Sequence, residues 1–196
     1  CLIFSTFSSL GISIIFTLLN YFLIVVGVLI FHAVFTYSLL LISLAKINPL
    51  IFFTKMREAI IFAFSTSSSS ATMPVTLKTV EEKLGVDKSV SSFCIPLGTT
   101  INMDGTAIMQ GVATVFIAQV YQVDLSMMEY LMVIITATLA SIGTAGVPGV
   151  GLIMLAMVLQ QVGLPVEGIA LIIGVDRLLD MLRTAVNVSG DATISC

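Results

Sequence analysis

The sequence predicts an all-α membrane protein, arranged as an inverted repeat of a re-entrant helical hairpin followed by a broken transmembrane helix. Three observations predict it. First, 58% of the 196 residues are hydrophobic and only 10% are charged, with a mean hydropathy of +1.14, which places the chain outside the soluble range. Second, two stretches rich in serine or glycine interrupt apolar arms that are too short to cross a bilayer alone. Third, the polar run from Gly98 to Thr106 sits between the apolar flanks Ser92 to Leu97 and Ala107 to Val120. Asn102 and Asp104 then lie near mid-bilayer, where an ionised carboxylate costs several kcal/mol unless something compensates it. A cation is the natural compensator. Glycines on both sides let the backbone leave helical geometry there and free carbonyls as hard oxygen ligands beside Asp104.

In chain order, residues 1–47 read as the end of a preceding segment and one long span. A serine-rich turn lies around Ser5 to Gly11, and an almost unbroken apolar run from Ile14 to Ala45 closes at Lys46 and Asn48-Pro49. This is a plain span. His32 within it is either a proton relay or, more ordinarily, a histidine hydrogen-bonded to a neighbouring helix. The first repeat occupies 48–123. Its hairpin, 48–84, carries Lys55 and Arg57 at one outer end, Lys78 and Lys83 at the other, and the tip Ser65 to Thr72 between them. Basic residues at both outer ends place the mouth on the cytoplasmic side. A flexible linker is the alternative for a serine run, but at membrane depth it would leave its backbone unsatisfied. The broken helix, 92–121, follows.

The second repeat occupies 124–196. Its hairpin, 129–163, has arms Tyr130 to Ala140 and Val150 to Val162 around the tip Ser141 to Gly149, and its outer ends carry Glu129 and Glu167 without Lys or Arg. The mouth is therefore expected on the opposite face. Straight helix docking through small residues is the alternative for these glycines, but a cluster that includes Pro148 is better suited to unwinding backbone. The last helix, 168–195, carries Asp176, Asp180, Arg183, Thr184, Asn187 and Asp191, offset from the first by 4, 7, 8, 11 and 15 residues. At about 100° per residue these fall on one stripe. An internal ion-pair cluster remains the alternative to a ligand site. Hairpins that open to opposite sides predict a site at the midplane, where two tips meet two polar helix stretches. Helix starts at Ser68 to Thr72 and near Val150 would aim backbone amides at an anion.

Cys1, Cys94 and Cys196 have no spacing that suggests a disulfide framework or zinc site. No Ser has a His base, so no catalytic residue and no enzyme is expected, and nothing in the charge pattern suggests nucleic acid. The sequence starts without Met and stops inside a helical pattern, as a fragment would.

Ser67 to Pro74, Asn102 to Thr106, Ser141 to Gly149 and Asp180 to Asp191 closely resemble the sodium-coupled glutamate/aspartate transporter family, the dicarboxylate/amino acid:cation symporters. The match covers about Ile14 to Cys196. The resemblance implies secondary active transport of an acidic amino acid with co-transported Na+ in a multi-pass plasma or inner cell membrane, by a homotrimer whose scaffold is absent from this chain. It implies that the α-carboxylate meets Ser68, Ser69 and neighbouring amides, with Asn187. The amino group would meet Asp180, Thr184 and the Val147 carbonyl, and the side-chain carboxylate would meet Arg183, Thr106 and the backbone near Gly151. One sodium would use Asp191 with the carbonyls of Gly98, Asn102 and Asn187. A second would lie between Thr100, Met103 and the carbonyls of Ser141, Ile142 and Thr144, and a third would use Asn102, Asp104 and an earlier helix. Relatives carry Arg at the place of Ser67 or of Met181. This chain has neither, and Arg177 would have to substitute from a different direction on the helix. A proton-coupled, C4-dicarboxylate or neutral amino acid symporter of the same family is the near alternative, and an ion channel module the distant one. Arg183 speaks against a neutral substrate, and Asp180 against one without an ammonium group.

Overall fold

The computed structural model describes residues 13–196, so Cys1 and the serine-rich turn lie outside it; the described residues are helical and contain no strand. Helix α1, Ser13–Phe31, buries Leu18, Tyr21, Val25 and Leu29 at helical spacing and turns Phe16, Ile24 and Phe31 outward. The helical rod then widens into a π-type segment, His32–Thr36, passes through α2, Tyr37–Leu40, and widens again over Leu41–Ala45 before Lys46 takes a left-handed φ of 56°. The rod from Phe16 to Ala45 is the one described helix long and apolar enough to cross a membrane, and only 22% of its most apolar window is buried. It is not the plain span expected. Each wide turn offsets the side chains after it, which is how such bulges re-aim residues toward a site.

The first hairpin pairs α3, Pro49–Thr66, with α4, Ser69–Thr79. Asn48 caps α3 by accepting the Leu50 amide at 2.9 Å, and Pro49 follows at the first helical position, where its missing N–H costs nothing. The arms are longer than the apolar runs suggest. At the tip only Ser67 and Ser68 connect them: Ser67 turns left-handed at φ 51°, and the Ser68 hydroxyl accepts the Ala71 amide at 3.1 Å. A π-type segment, Val80–Leu84, closes the hairpin, and Lys83 pairs with Glu58 across its mouth at 2.5 Å.

Helix α5, Lys88–Ile101, stops at Asn102 and Met103, whose backbones are not helical, and α6, Asp104–Val120, resumes. The second hairpin pairs α7, Met127–Ile142, with α8, Val150–Gln161. Ser126 and Glu129 form a reciprocal capping box at its root. A short 3-10 turn, Val166–Gly168, leads into α9, Ile169–Ser195. This helix runs through all 27 residues without a break, unlike the second broken helix expected of the repeat. No proline lies within it, so nothing removes a backbone donor, and its polar residues act through side chains rather than through unwound backbone.

α9 packs against α1, α3, α4, α5, α6 and α8 and is the axis of the bundle. One apolar cluster joins it to α1, α6, α7 and α8 through residues such as Tyr21, Ile117, Val133, Leu155 and Ile172. A second, with Leu41, Phe52, Met56, Ile95 and Val188, joins it to α3 and α5. The polar stripe of α9 is thereby enclosed: Arg183 to Thr193 are buried without interruption.

Candidate functional site

Arg183 is 1% exposed, and a guanidinium so enclosed requires anions beside it. They come from its own helix: Nη2 donates to Asp180 Oδ1 at 2.8 Å, and Nη1 lies 3.2 Å from Asp176 Oδ1. That Nη1 contact is ionic and not aligned as a hydrogen bond, while Nη2 also donates to Asp176 Oδ2 at 3.5 Å, so among the described residues Arg183 Nε and Nη1 keep unused donor capacity. Toward the other end of the helix, Asn187 Oδ1 accepts the Gly105 amide at 2.8 Å, and its Nδ2 faces Met103 Sδ at 3.2 Å and Thr106 Oγ1 at 3.5 Å. Asn187 thus pins α9 to the start of α6.

The interruption between α5 and α6 brings two carboxylates into play. Asp191 Oδ1 accepts from Asn102 Nδ2 at 3.0 Å, and Gly98 leaves it room, since a Cβ there would stand 2.5 Å from the same oxygen. Asp104 Oδ1 accepts the Gly105 amide at 2.9 Å, while Oδ2 contacts His32 Nε2 at 2.7 Å and accepts the Tyr37 hydroxyl. His32 is therefore hydrogen-bonded to a neighbouring helix, the ordinary alternative for that residue. Neither carboxylate has a Lys or Arg partner among the described residues.

The two tips meet over α9. The Gly146 carbonyl accepts the Ser68 hydroxyl at 2.7 Å and the Ser70 amide at 3.0 Å, and the Gly149 amide donates to Asp180 Oδ2 at 3.1 Å. Such contact requires glycine at 146, where a Cβ would stand 2.9 Å from the Ser70 hydroxyl and 3.1 Å from its amide. Between the tips lies a cavity of about 10 Å³, room for about one water. Its walls include Ser69, Thr106, Val147, Gly151, Asp180, Thr184 and Asn187, together with Met103, Thr144 and Ser67. Ser67 also contributes a buried hydroxyl that has no partner among the described residues. Gln110 ties α6 to the start of α8 by donating to the Gly151 carbonyl at 3.3 Å.

Most residues singled out from the sequence therefore converge. Ser68 serves as cap and tip contact rather than cavity wall, and Arg183 lies just behind the wall, with Nη1 3.4 Å from where a Cβ on Gly151 would be. The set around Thr100 is less assembled: Thr100 is exposed with its hydroxyl on the Leu97 carbonyl, and Ile142 is half exposed. The carbonyls of Gly98 and Ser141 are engaged by the amides of Asn102 and Thr144. Arg177 is exposed and does not line the cavity. Sequence reasoning missed Tyr37, the Gly146 carbonyl and Asp176 as Arg183's second partner. Only Asp176 had a signal, its place on the α9 stripe.

Fold and site together define a helical membrane protein whose buried polar axis is gathered on one helix beneath two hairpin tips. The chain belongs to the sodium:dicarboxylate symporter family, whose model it matches over residues 1–196. It is 50% identical over 169 residues to excitatory amino acid transporter 1 of Rattus norvegicus, an alignment covering 86% of this chain and 31% of that protein. An excitatory amino acid transporter of Caenorhabditis elegans is 48% identical over 172 residues, 88% of this chain and 34% of the relative. Excitatory amino acid transporter 3 of Oryctolagus cuniculus is 48% identical over 172 residues, 88% of this chain and 33% of the relative. The chain thus spans about a third of the length of the curated relatives it matches.

Proposed function

We propose that this chain is the substrate- and ion-carrying part of a multi-pass membrane symporter that moves an acidic amino acid together with sodium by alternating access. The observation that carries the proposal is the pairing of Arg183, which keeps unused donors, with Asp180 at the edge of a cavity roofed by both tips. A guanidinium fork and a fixed carboxylate a few ångströms apart are complementary to the side-chain carboxylate and the ammonium of aspartate or glutamate. The spare Ser67 hydroxyl, with Ser69 and the start of α4, suits the α-carboxylate. In the arrangement described, Arg183 and Asp180 are paired through one hydrogen bond and the cavity is too small for an amino acid. Substrate would enter by exchanging that internal pair for its own charges while the second tip draws back from Gly146's partners.

Asp104 and Asp191 would hold sodium with oxygens of Asn102, Asn187 and Gly98. Each cation neutralises a carboxylate that apolar surroundings penalise, and thereby favours arrival of an amino acid whose net charge is negative, so the two affinities rise together. The two hairpins would be re-entrant, opening on opposite membrane faces and related as an inverted repeat. Trimer contacts would come from parts of the protein outside this chain. In the full-length protein, calorimetric titration should show tight L-aspartate binding with sodium and little without it. Arg183→Ala should weaken aspartate binding by at least about a hundredfold, as when one partner of a buried charge pair is removed, and should affect serine or alanine far less. Equal losses for acidic and neutral amino acids would refute the assignment.

A further inference from the structure

Asp104 receives two side-chain contacts at one oxygen, and both come from the wide turn in the first rod. His32 opens that turn and Tyr37 follows it directly. Tyr37 is 3% exposed, donates to Asp104 Oδ2, and has the Val186 carbonyl of α9 as a second acceptor at 3.1 Å. A phenol has one proton, so it serves one of these acceptors at a time. The Asp104 side chain is 24% exposed in this chain, on the side where the sequence expects an earlier helix. Gly190 lets the group assemble: a Cβ there would stand 2.7 Å from the Tyr37 hydroxyl oxygen and 2.6 Å from Asn102 Nδ2.

Resting on the sodium reading of Asp104, we propose that Tyr37 is a positioning residue that holds the place of the cation at Asp104 and so sets how loosely sodium is bound there. With His32 Nε2 and the Tyr37 hydroxyl on Oδ2, that oxygen has both lone-pair positions taken, and only Oδ1 keeps one beside the Gly105 amide. A cation gripping both oxygens must displace a donor. Tyr37 is the one able to yield, because a rotation of its O–H turns the proton to the Val186 carbonyl without moving a heavy atom. The hydrogen bond that is surrendered is charge-assisted and the one gained is neutral, so the exchange opposes sodium by the difference between them. A cargo ion must leave as well as arrive, and a donor that returns to the carboxylate as the ion departs lowers the cost of release.

The test uses the purified full-length protein, with choline replacing sodium, and reads melting temperature against sodium concentration without amino acid. For Tyr37→Phe the half-saturating sodium concentration should fall roughly three- to tenfold, while the sodium-free melting temperature drops. A merely structural tyrosine lowers melting with and without sodium alike and leaves half-saturation where it was. A sodium ligand raises it. Either result overturns the proposal. Tyr37→Leu, which also removes the hydroxyl without touching Asn102, is the second variant and should shift half-saturation in the same direction; a shift the other way overturns the proposal even where Tyr37→Phe does not fold. Asp104→Asn separates the two levels: if it abolishes one sodium response while Tyr37→Phe changes nothing, the Tyr37 role fails and the sodium reading stands. If sodium dependence survives both Asp104→Asn and Asp191→Asn, the sodium reading itself fails.

Discussion

The serine tip and the glycine tip face each other across the same cavity but are held by different means. The serine tip closes its own hydrogen bonds: the Ser67 amide donates to the Ala63 carbonyl at 2.9 Å, Thr72's to Ser68's at 3.0 Å, and the Ser68 hydroxyl caps Ala71. In the glycine tip, residues 143–149, the Thr144 amide donates to the Ser141 carbonyl at 3.2 Å and the Val147 amide to the Ala145 carbonyl at 2.8 Å, but no side chain among the described residues caps α8, and the Gly146 carbonyl and Gly149 amide bond to the other hairpin and to α9. One tip is a fixed wall that carries its own structure. The other has internal bonds as well, but leans on the other hairpin and on α9 at Gly146 and Gly149.

Gly146→Ala should break that difference most strongly. The added methyl lies within 2.9 Å of the Ser70 hydroxyl, so the tips cannot meet and two hydrogen bonds to the Gly146 carbonyl are lost. Amide hydrogen exchange over residues 143–149 should rise by about tenfold or more, while residues 66–69 and 71–72 stay near their parent rates. Equal acceleration at both tips would show that they form one unit. Ser68→Ala comes next. It removes a helix cap and one bond to Gly146, so the full-length protein should lose about 1 kcal/mol in stability, with faster exchange at Ala71. The smallest effect is at the root of the second hairpin. The amide and hydroxyl of Ser126 hold the Glu129 carboxyl below its ordinary value of 4.5, so the capping box is fully formed above that pH and is lost as pH falls through the lowered value. Protection at residues 127–130, measured against the acid-slowed intrinsic exchange rate, should therefore decrease on acidification below about pH 4.5, and Ser126→Ala should flatten that dependence. Exchange in the glycine tip should not follow it.

Much of this contrast is legible in the sequence because it is local. A serine before a helix start, Asn-Pro before α3 and Ser-x-x-Glu before α7 each satisfy orphan amides within a few residues. The α9 stripe is legible because helical spacing alone sets which side chains share a face. What escaped is set across the fold. The Gly146 carbonyl matters because the other hairpin arrives there, and Tyr37 reaches Asp104 because a wide turn redirects the rod beneath it. The continuity of α9 was hidden for a different reason: polar residues in an apolar helix suggest unwinding, but in α9 they find side-chain partners and the backbone ladder is left whole.

That wholeness gives α9 the character of a rigid beam. Asp180 and Asp191, at about 1.5 Å of rise per residue, are fixed roughly 16 Å apart along it, with Arg183, Thr184 and Asn187 between them. Nothing seated at one end can shift without carrying the other end along. On the proposed reading, an amino acid held at Asp180 and an ion held at Asp191 would therefore be carried together, as one load on one stiff axis.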